Sequence, residues 1–176
     1  MAKPRIVLPA ALIGLATLLL TAAPAGAIDV PQTREEFVRV VAEGARGVKM
    51  ETLVVERSFD EVYKTLESRT SPCLDIEVQR TAYVGYVERS SSDYNPALKR
   101  LGADRAEFTL QVVNRPRGVG HTPPPGGLYI LAADFKRAGP SRTEVVLYRP
   151  TIGFKDITKS LMQWAEGSDT DCPKLK

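Results

Sequence analysis

Residues 128–149 read LYILAADFKRAGPSRTEVVLYR. Two β-rich runs, Leu128–Lys136 and Arg142–Arg149, flank the turn signal Ala138-Gly139-Pro140-Ser141, in which Gly tolerates positive φ and Pro presets a bend. So short a connection joins antiparallel neighbours, because parallel strands need a long crossover. Upstream, Ala97–Leu101 and Arg105–Val113 read as another hairpin around Leu101-Gly102-Ala103-Asp104, with Phe108, Leu110 and Val112 on one side. Asn114–Gly127 (NRPRGVGHTPPPGG) separates the two hairpins as the one long irregular loop. Earlier still, Leu74, Ile76 and Val78 alternate with Asp75, Glu77 and Gln79, the pattern of a strand with one wet face. Ala82–Glu88 is β-rich again, and two readings are open: it continues that strand, or it follows a bend near Arg80. Ser90–Tyr94 is polar and turn-like.

The flanks of this strand-rich centre are helical. Thr33 and Glu36 form a capping box, followed by Phe37, Val40, Val41, Gly44, Ala45 and Val48 at helical spacing. Met50–Arg57 (METLVVER) then reads as a strand. Ser58 and Glu61 open a second helix with another capping box. Its inner face is Phe59, Val62, Tyr63 and Leu66, and Pro72 marks its limit. At the other end Asp156 is placed to cap a last helix in which Ile157, Leu161, Trp164 and Ala165 share a face, with Gly167 as its stop. Strands grouped between helices indicate an α+β domain rather than parallel βαβ units.

The first 27 residues read as a cleavable export signal: Lys3 and Arg5, an apolar run from Ile6 to Leu20, then Ala25-Gly26-Ala27. The competing reading is an uncleaved membrane anchor. Pro24 and the Ala-x-Ala ending favour cleavage, and no later run approaches spanning length. Residues 28–176 are then one domain, long enough to bury a core. Removing Lys3 and Arg5 leaves 22 of the 24 basic side chains against 21 acids. A balance that even carries no electrostatic footprint of a nucleic-acid binder and no polybasic membrane patch. Cys73 and Cys172 are the only cysteines; in the oxidising periplasm or outside the cell they are expected to pair. Closing a loop of about 100 residues stabilises a fold by about 4–5 kcal/mol in the chain-entropy account.

Three stretches carry a resemblance: the strand-to-helix unit VVERSFDEVYKTL (54–66), the 127–148 hairpin with Thr143 and Tyr148, and the helix ITKSLMQWAEG (157–167). Together they resemble the helix-grip architecture of the START-like superfamily, and also small bacterial envelope proteins that end in a Trp-bearing helix and a Cys-Pro tail. The resemblance implies a curved antiparallel sheet of about six strands wrapped on the C-terminal helix, with an extra N-terminal helix here. It also implies an apolar or lipid-like ligand. The final helix reads as shorter than in ligand-binding members. The same topology serves envelope scaffold modules such as those of the outer-membrane barrel assembly machinery, so an envelope protein partner is the alternative.

No catalytic constellation emerges. Gly118-Val119-Gly120 lacks phosphate-loop or dinucleotide spacing, no Gly-x-Ser-x-Gly elbow is present, and two distant Cys with one His do not make a zinc site. No cofactor is therefore expected, and a binding role is favoured over an enzymatic one. Arg115, Arg117 and His121 lie together in the long loop, where they would either hold an anionic head group or face solvent. Tyr63, Tyr83, Tyr86, Phe108, Tyr129, Phe135, Tyr148 and Trp164 are core in a packed domain. In a ligand-holding one, Tyr63, Tyr83, Phe108, Tyr129 and Trp164 line the pocket. The signal makes one direct prediction: exported protein starts at or near Ile28 by N-terminal sequencing, whereas an intact Met1 on membrane-bound material would make the segment an anchor.

Overall fold

The structure, a computed structural model, describes residues 30–83, 87–116 and 122–175; the export signal read in residues 1–27 lies outside them. The chain runs α1 (Arg34–Ala42), β1 (Val48–Val55), α2 (Phe59–Leu74), β2 (Glu77–Tyr83), β3 (Val87–Arg100), β4 (Arg105–Arg115), β5 (Leu128–Gly139), β6 (Arg142–Pro150) and α3 (Lys155–Ala165). The six strands form one open sheet in the order β1-β6-β5-β4-β3-β2, with every neighbouring pair antiparallel. The domain is the expected α+β type, with the sheet packed on the C-terminal helix and an additional helix at the N-terminus.

Alternation along the strands decides which face each helix covers. Ala106, Phe108, Leu110 and Val112 of β4, Val145 and Leu147 of β6, and Leu131, Ala133 and Phe135 of β5 turn to one face, where α2 adds Phe59, Val62 and Leu66 and α3 adds Ile157, Leu161 and Trp164. A register shift skips Ile130 between the pairs Leu110–Leu131 and Gln111–Tyr129. That one-residue bulge lets Ile130 join Leu131 in the same core. α1 covers part of the opposite face, burying Phe37 and Val41 against Ala132 and Tyr148.

The helix ends follow local chemistry. The Thr33 hydroxyl accepts from the Glu36 amide at 3.1 Å, and Ser58 and Glu61 complete the full reciprocal box on α2. The last helix starts differently from the expectation that Asp156 caps it. Its N-cap is Phe154, left-handed at φ 52°, and no side chain caps the first amides; Asp156 sits inside the first turn, where its charge suits the helix dipole.

Two further expectations are corrected. Pro72 does not end α2; the helix continues to Leu74 with Pro72 inside its last turn. The ring costs one helix bond, but it is exposed while Cys73 and Leu74 beyond it are buried at 3% and 0%, and that burial outweighs the lost bond. Ser90–Tyr94 is not a turn but the middle of β3, paired with β2 on one side and β4 on the other. Two flanking strands override the weak β propensity of a serine run. β2 runs straight through Arg80 to Tyr83, and the chain returns from Val87, so no bend falls at Arg80. Pro96 is tolerated because β3 has left β2 by that point and keeps only β4 as partner.

Cys73 and Cys172 are disulfide-bonded, 99 residues apart in sequence with Cα atoms 5.1 Å apart, tying the end of α2 to the tail beyond α3. Trp164 is 0% exposed, on the inner face expected from its helical spacing. Trp164→Ala is expected to cost about 3–5 kcal/mol in urea unfolding, and the fluorescence of this sole tryptophan in the native protein should be that of an indole shielded from water.

Candidate functional site

The concave core is solid at its centre, where Phe108, Phe135, Leu131 and Trp164 are at most 2% exposed. Open space lies instead beside the N-terminal half of α3. A groove of about 450 Å³ separates that helix end from β2, β3 and β4. Its sheet wall is two rungs of one cross-strand ladder, Ser92 opposite Asn114 and Tyr94 opposite Val112. Ile157, Phe154 and Leu175 supply the opposite wall.

The polar and apolar parts of the groove are segregated. Tyr94, Val112 and Ile157, each at most 5% exposed, form an apolar floor. Next to it runs a hydrogen-bond relay in which the Arg80 guanidinium donates to Ser92 Oγ at 3.4 Å and Ser92 Oγ donates to Asn114 Oδ1 at 2.8 Å. Lys155 and Lys174 bring two more cations to the rim, with Asp156 as the one carboxylate. The first turn of α3 lines the same space and has no side-chain cap among the described residues, so the positive end of its dipole lies beside the groove. An apolar floor with a cationic rim suits an amphiphile carrying an anionic end.

The residues named from sequence do not converge on this groove. Phe108 and Trp164 share the solid core. Tyr63 is half-buried on α2, with the Arg100 guanidinium 5.1 Å above its ring; burial, with Glu67 nearby, pushes its phenol up. Tyr83 is 81% exposed at the end of β2. Tyr129 lies on the opposite face of the sheet, its ring 6.0 Å from that of Phe37. Arg115 is exposed and donates to Asp93 at 2.7 Å. Arg117, His121 and Tyr86 lie outside the described residues. Arg80, Ser92, Tyr94, Asn114 and Lys174, which do line it, carry no binding motif in the sequence. Their signal was present as parity: Ser92 with Tyr94 and Val112 with Asn114 are i, i+2 pairs facing one side, but reading Ser90–Tyr94 as a turn concealed it.

No family model matches the chain and no curated protein matches it. Among solved structures it is similar to a hypothetical protein of Helicobacter pylori, at 9% identity and a TM-score of 0.40 over 81% of this chain and 94% of that one. It is also similar to an uncharacterised protein of Bacillus thuringiensis, at 9% identity and a TM-score of 0.30 over 68% of this chain and 96% of that one.

Two other polar clusters are fastenings. Asp60 accepts from Arg137 at 2.8 Å and Arg100 at 2.5 Å, and these bonds hold its carboxyl below the usual range. Beneath α1, Arg34 pairs with Asp134 and Glu107, and the Tyr148 hydroxyl donates to Asp134 at 3.1 Å. Burial first, and the Asp134 charge second, push the Tyr148 phenol up to about 12. The folded value lies above the ordinary tyrosine value of about 10, so this contribution to stability is complete below pH ~10 and is lost as pH rises through ~12. Tyr148→Phe should therefore show a shallower fall in urea midpoint between pH 9 and 11.5 than the wild type.

Proposed function

We propose that this chain is an exported, non-enzymatic binding domain of the START-like kind that holds an amphiphilic, lipid-like ligand in the groove at the start of α3. The observation that carries the reading is the segregation of that groove into an apolar floor of Tyr94, Val112 and Ile157 and a rim bearing Arg80, Lys155 and Lys174. Its volume falls within the usual range for small-molecule sites. The ligand's acyl portion rests on the floor, and its anionic end meets the rim and the open turn of α3. Because the centre of the domain is packed, the ligand lies at the end of the sheet rather than inside it. Export is supported by the N-terminal signal pattern together with the Cys73–Cys172 bridge.

The packed centre also supports a second reading, an envelope interaction module working through its surface. Native mass spectrometry of protein purified from its own envelope should show a co-purifying amphiphile. Titration with dodecanoate should saturate, and Lys174→Glu should weaken it about fivefold, the scale of one partly screened charge contact, without weakening binding of dodecyltrimethylammonium. Protein free of amphiphile that also fails to take up dodecanoate would reject the ligand reading.

A further inference from the structure

The opposite flank of α3 holds a wider groove of about 560 Å³, bounded by the sheet edge β1, by Leu147 and Arg149 of β6, and by Lys155, Lys159 and Met162 of α3. β1 is hydrogen-bonded to β6 along its whole length and has no strand on its other side among the described residues. Every second residue of such a strand turns its N–H and C=O outward. Edges of this kind are usually blunted by proline, a bulge or unpaired charge. β1 has no proline and an unbroken register with β6. Its two charges are already matched, since Lys49 donates to Glu51 at 2.6 Å and Arg149 donates to Glu51 at 2.8 Å.

The side chains along this edge differ by face. Toward α1, β1 exposes Met50 and Val54, at 49% and 52%. Toward α3, Leu53 lies low in the groove while Lys155 and Lys159, one turn apart and both exposed, stand above it. Neither lysine makes an ion pair among the described residues. The unpaired backbone edge calls for an extended strand, the lysines call for carboxylates on one face of it, and Met50 and Val54 call for apolar side chains on the other.

The geometry points to β1 as a strand-addition site for an extended segment of another protein in which acidic and apolar residues alternate. This goes beyond ligand binding and lies on the other side of α3, where the two grooves have Lys155 in common and Lys159 belongs to this one alone. Charge selects the occupant. A second copy of β1 paired about Thr52 places Met50 against Val54, but its only carboxylate, Glu51, is held by Lys49 and Arg149, so Lys155 and Lys159 stay unmatched. The chain's own acidic tail does not supply the segment, because Asp169 pairs with Arg69 of α2 and Cys172 is bonded to Cys73.

The test uses the purified full chain and a labelled nonapeptide of alternating Glu and Val, with a Lys-Val peptide of equal length and a Glu-Val peptide N-methylated along one edge as controls. The Glu-Val peptide should bind saturably by anisotropy and slow amide exchange across 48–55. The Lys-Val peptide should bind at least about tenfold more weakly, and N-methylation on the pairing edge should abolish binding. Lys159→Glu should invert the preference between the acidic and basic peptides while dodecanoate binding stays unchanged, which separates this site from the ligand groove. Unaltered exchange in β1 on adding the Glu-Val peptide, or equal binding to Lys159→Glu, overturns the proposal. A dimer whose β1 amides are protected without peptide overturns it in favour of self-pairing.

Discussion

The placement of α3 rests on Arg57. This residue follows β1 and precedes the Ser58 cap of α2, and its guanidinium donates to the carbonyl oxygens of Trp164 at 3.3 Å and Ala165 at 3.0 Å and to Thr65 Oγ1 at 3.3 Å. One cation therefore satisfies carbonyls that the end of α3 leaves open, complements the negative end of its dipole and ties it to α2. Buried Thr143 fixes the other end of the clamp by donating to the Arg57 carbonyl oxygen at 2.9 Å. Gly167 belongs to the same arrangement: its φ is 87°, and a Cβ there would stand 2.9 Å from the guanidinium. Through Arg57, β1, β6, α2 and α3 hold one geometry, and both grooves inherit their widths from it.

Length explains why those grooves exist. The 11 residues of α3 span about 16 Å, whereas the 12 residues of β5 span about 40 Å. Fixed at its C-terminal end and filled beneath by Trp164 and Leu161, the helix covers the centre of the sheet and stops short of its end. A longer helix would close the mouth formed by Ser92, Tyr94, Val112 and Asn114. The interior is solid because Leu161 and Trp164 of α3 share one buried core with Phe108 and Leu131 of the sheet. Open space is thereby moved from the inside of the fold to the flanks of one helix.

Features set by local pattern were legible in the sequence. The caps at Thr33 and Ser58, the hairpin turn at Ala138–Ser141, the Phe108-Leu110-Val112 alternation and the Ile157–Trp164 stripe all rest on contacts between residues near in sequence. The Cys pair was legible because only one pairing was open. Features set by neighbours across the sheet were not. Nothing local in Ser90–Tyr94 reports that β2 and β4 lie on either side of it, and nothing around Pro72 reports that Cys73 is drawn inward. The candidate site suffered most, since Arg80, Ser92, Asn114 and Lys174 come from four separate segments and meet only through register. Aromatic residues are poor markers of the site because bulk marks the core as readily as a pocket: Phe108 and Trp164 are core, and Tyr129 packs on the far face.

The disulfide joins the fold to the groove at the start of α3. Lys174 and Leu175, part of its rim and wall, lie two and three residues beyond Cys172, and among the described residues no helix or strand follows Ala165. The tail is also fastened by the exposed pair between Arg69 and Asp169, by the hydrogen bond from Trp164 Nε1 to the Thr170 carbonyl oxygen at 3.4 Å and by Leu175, which packs against the core. An exposed pair contributes at most about 1 kcal/mol, and a neutral hydrogen bond about the same, which is comparable to the backbone entropy of ordering a single residue. The bridge is the strongest of these contacts and acts together with the packing of Leu175 to keep the last residues against α2 and the sheet. The wall built by Leu175 and the charge carried by Lys174 thus owe their positions to the bridge together with Leu175's own packing on the core.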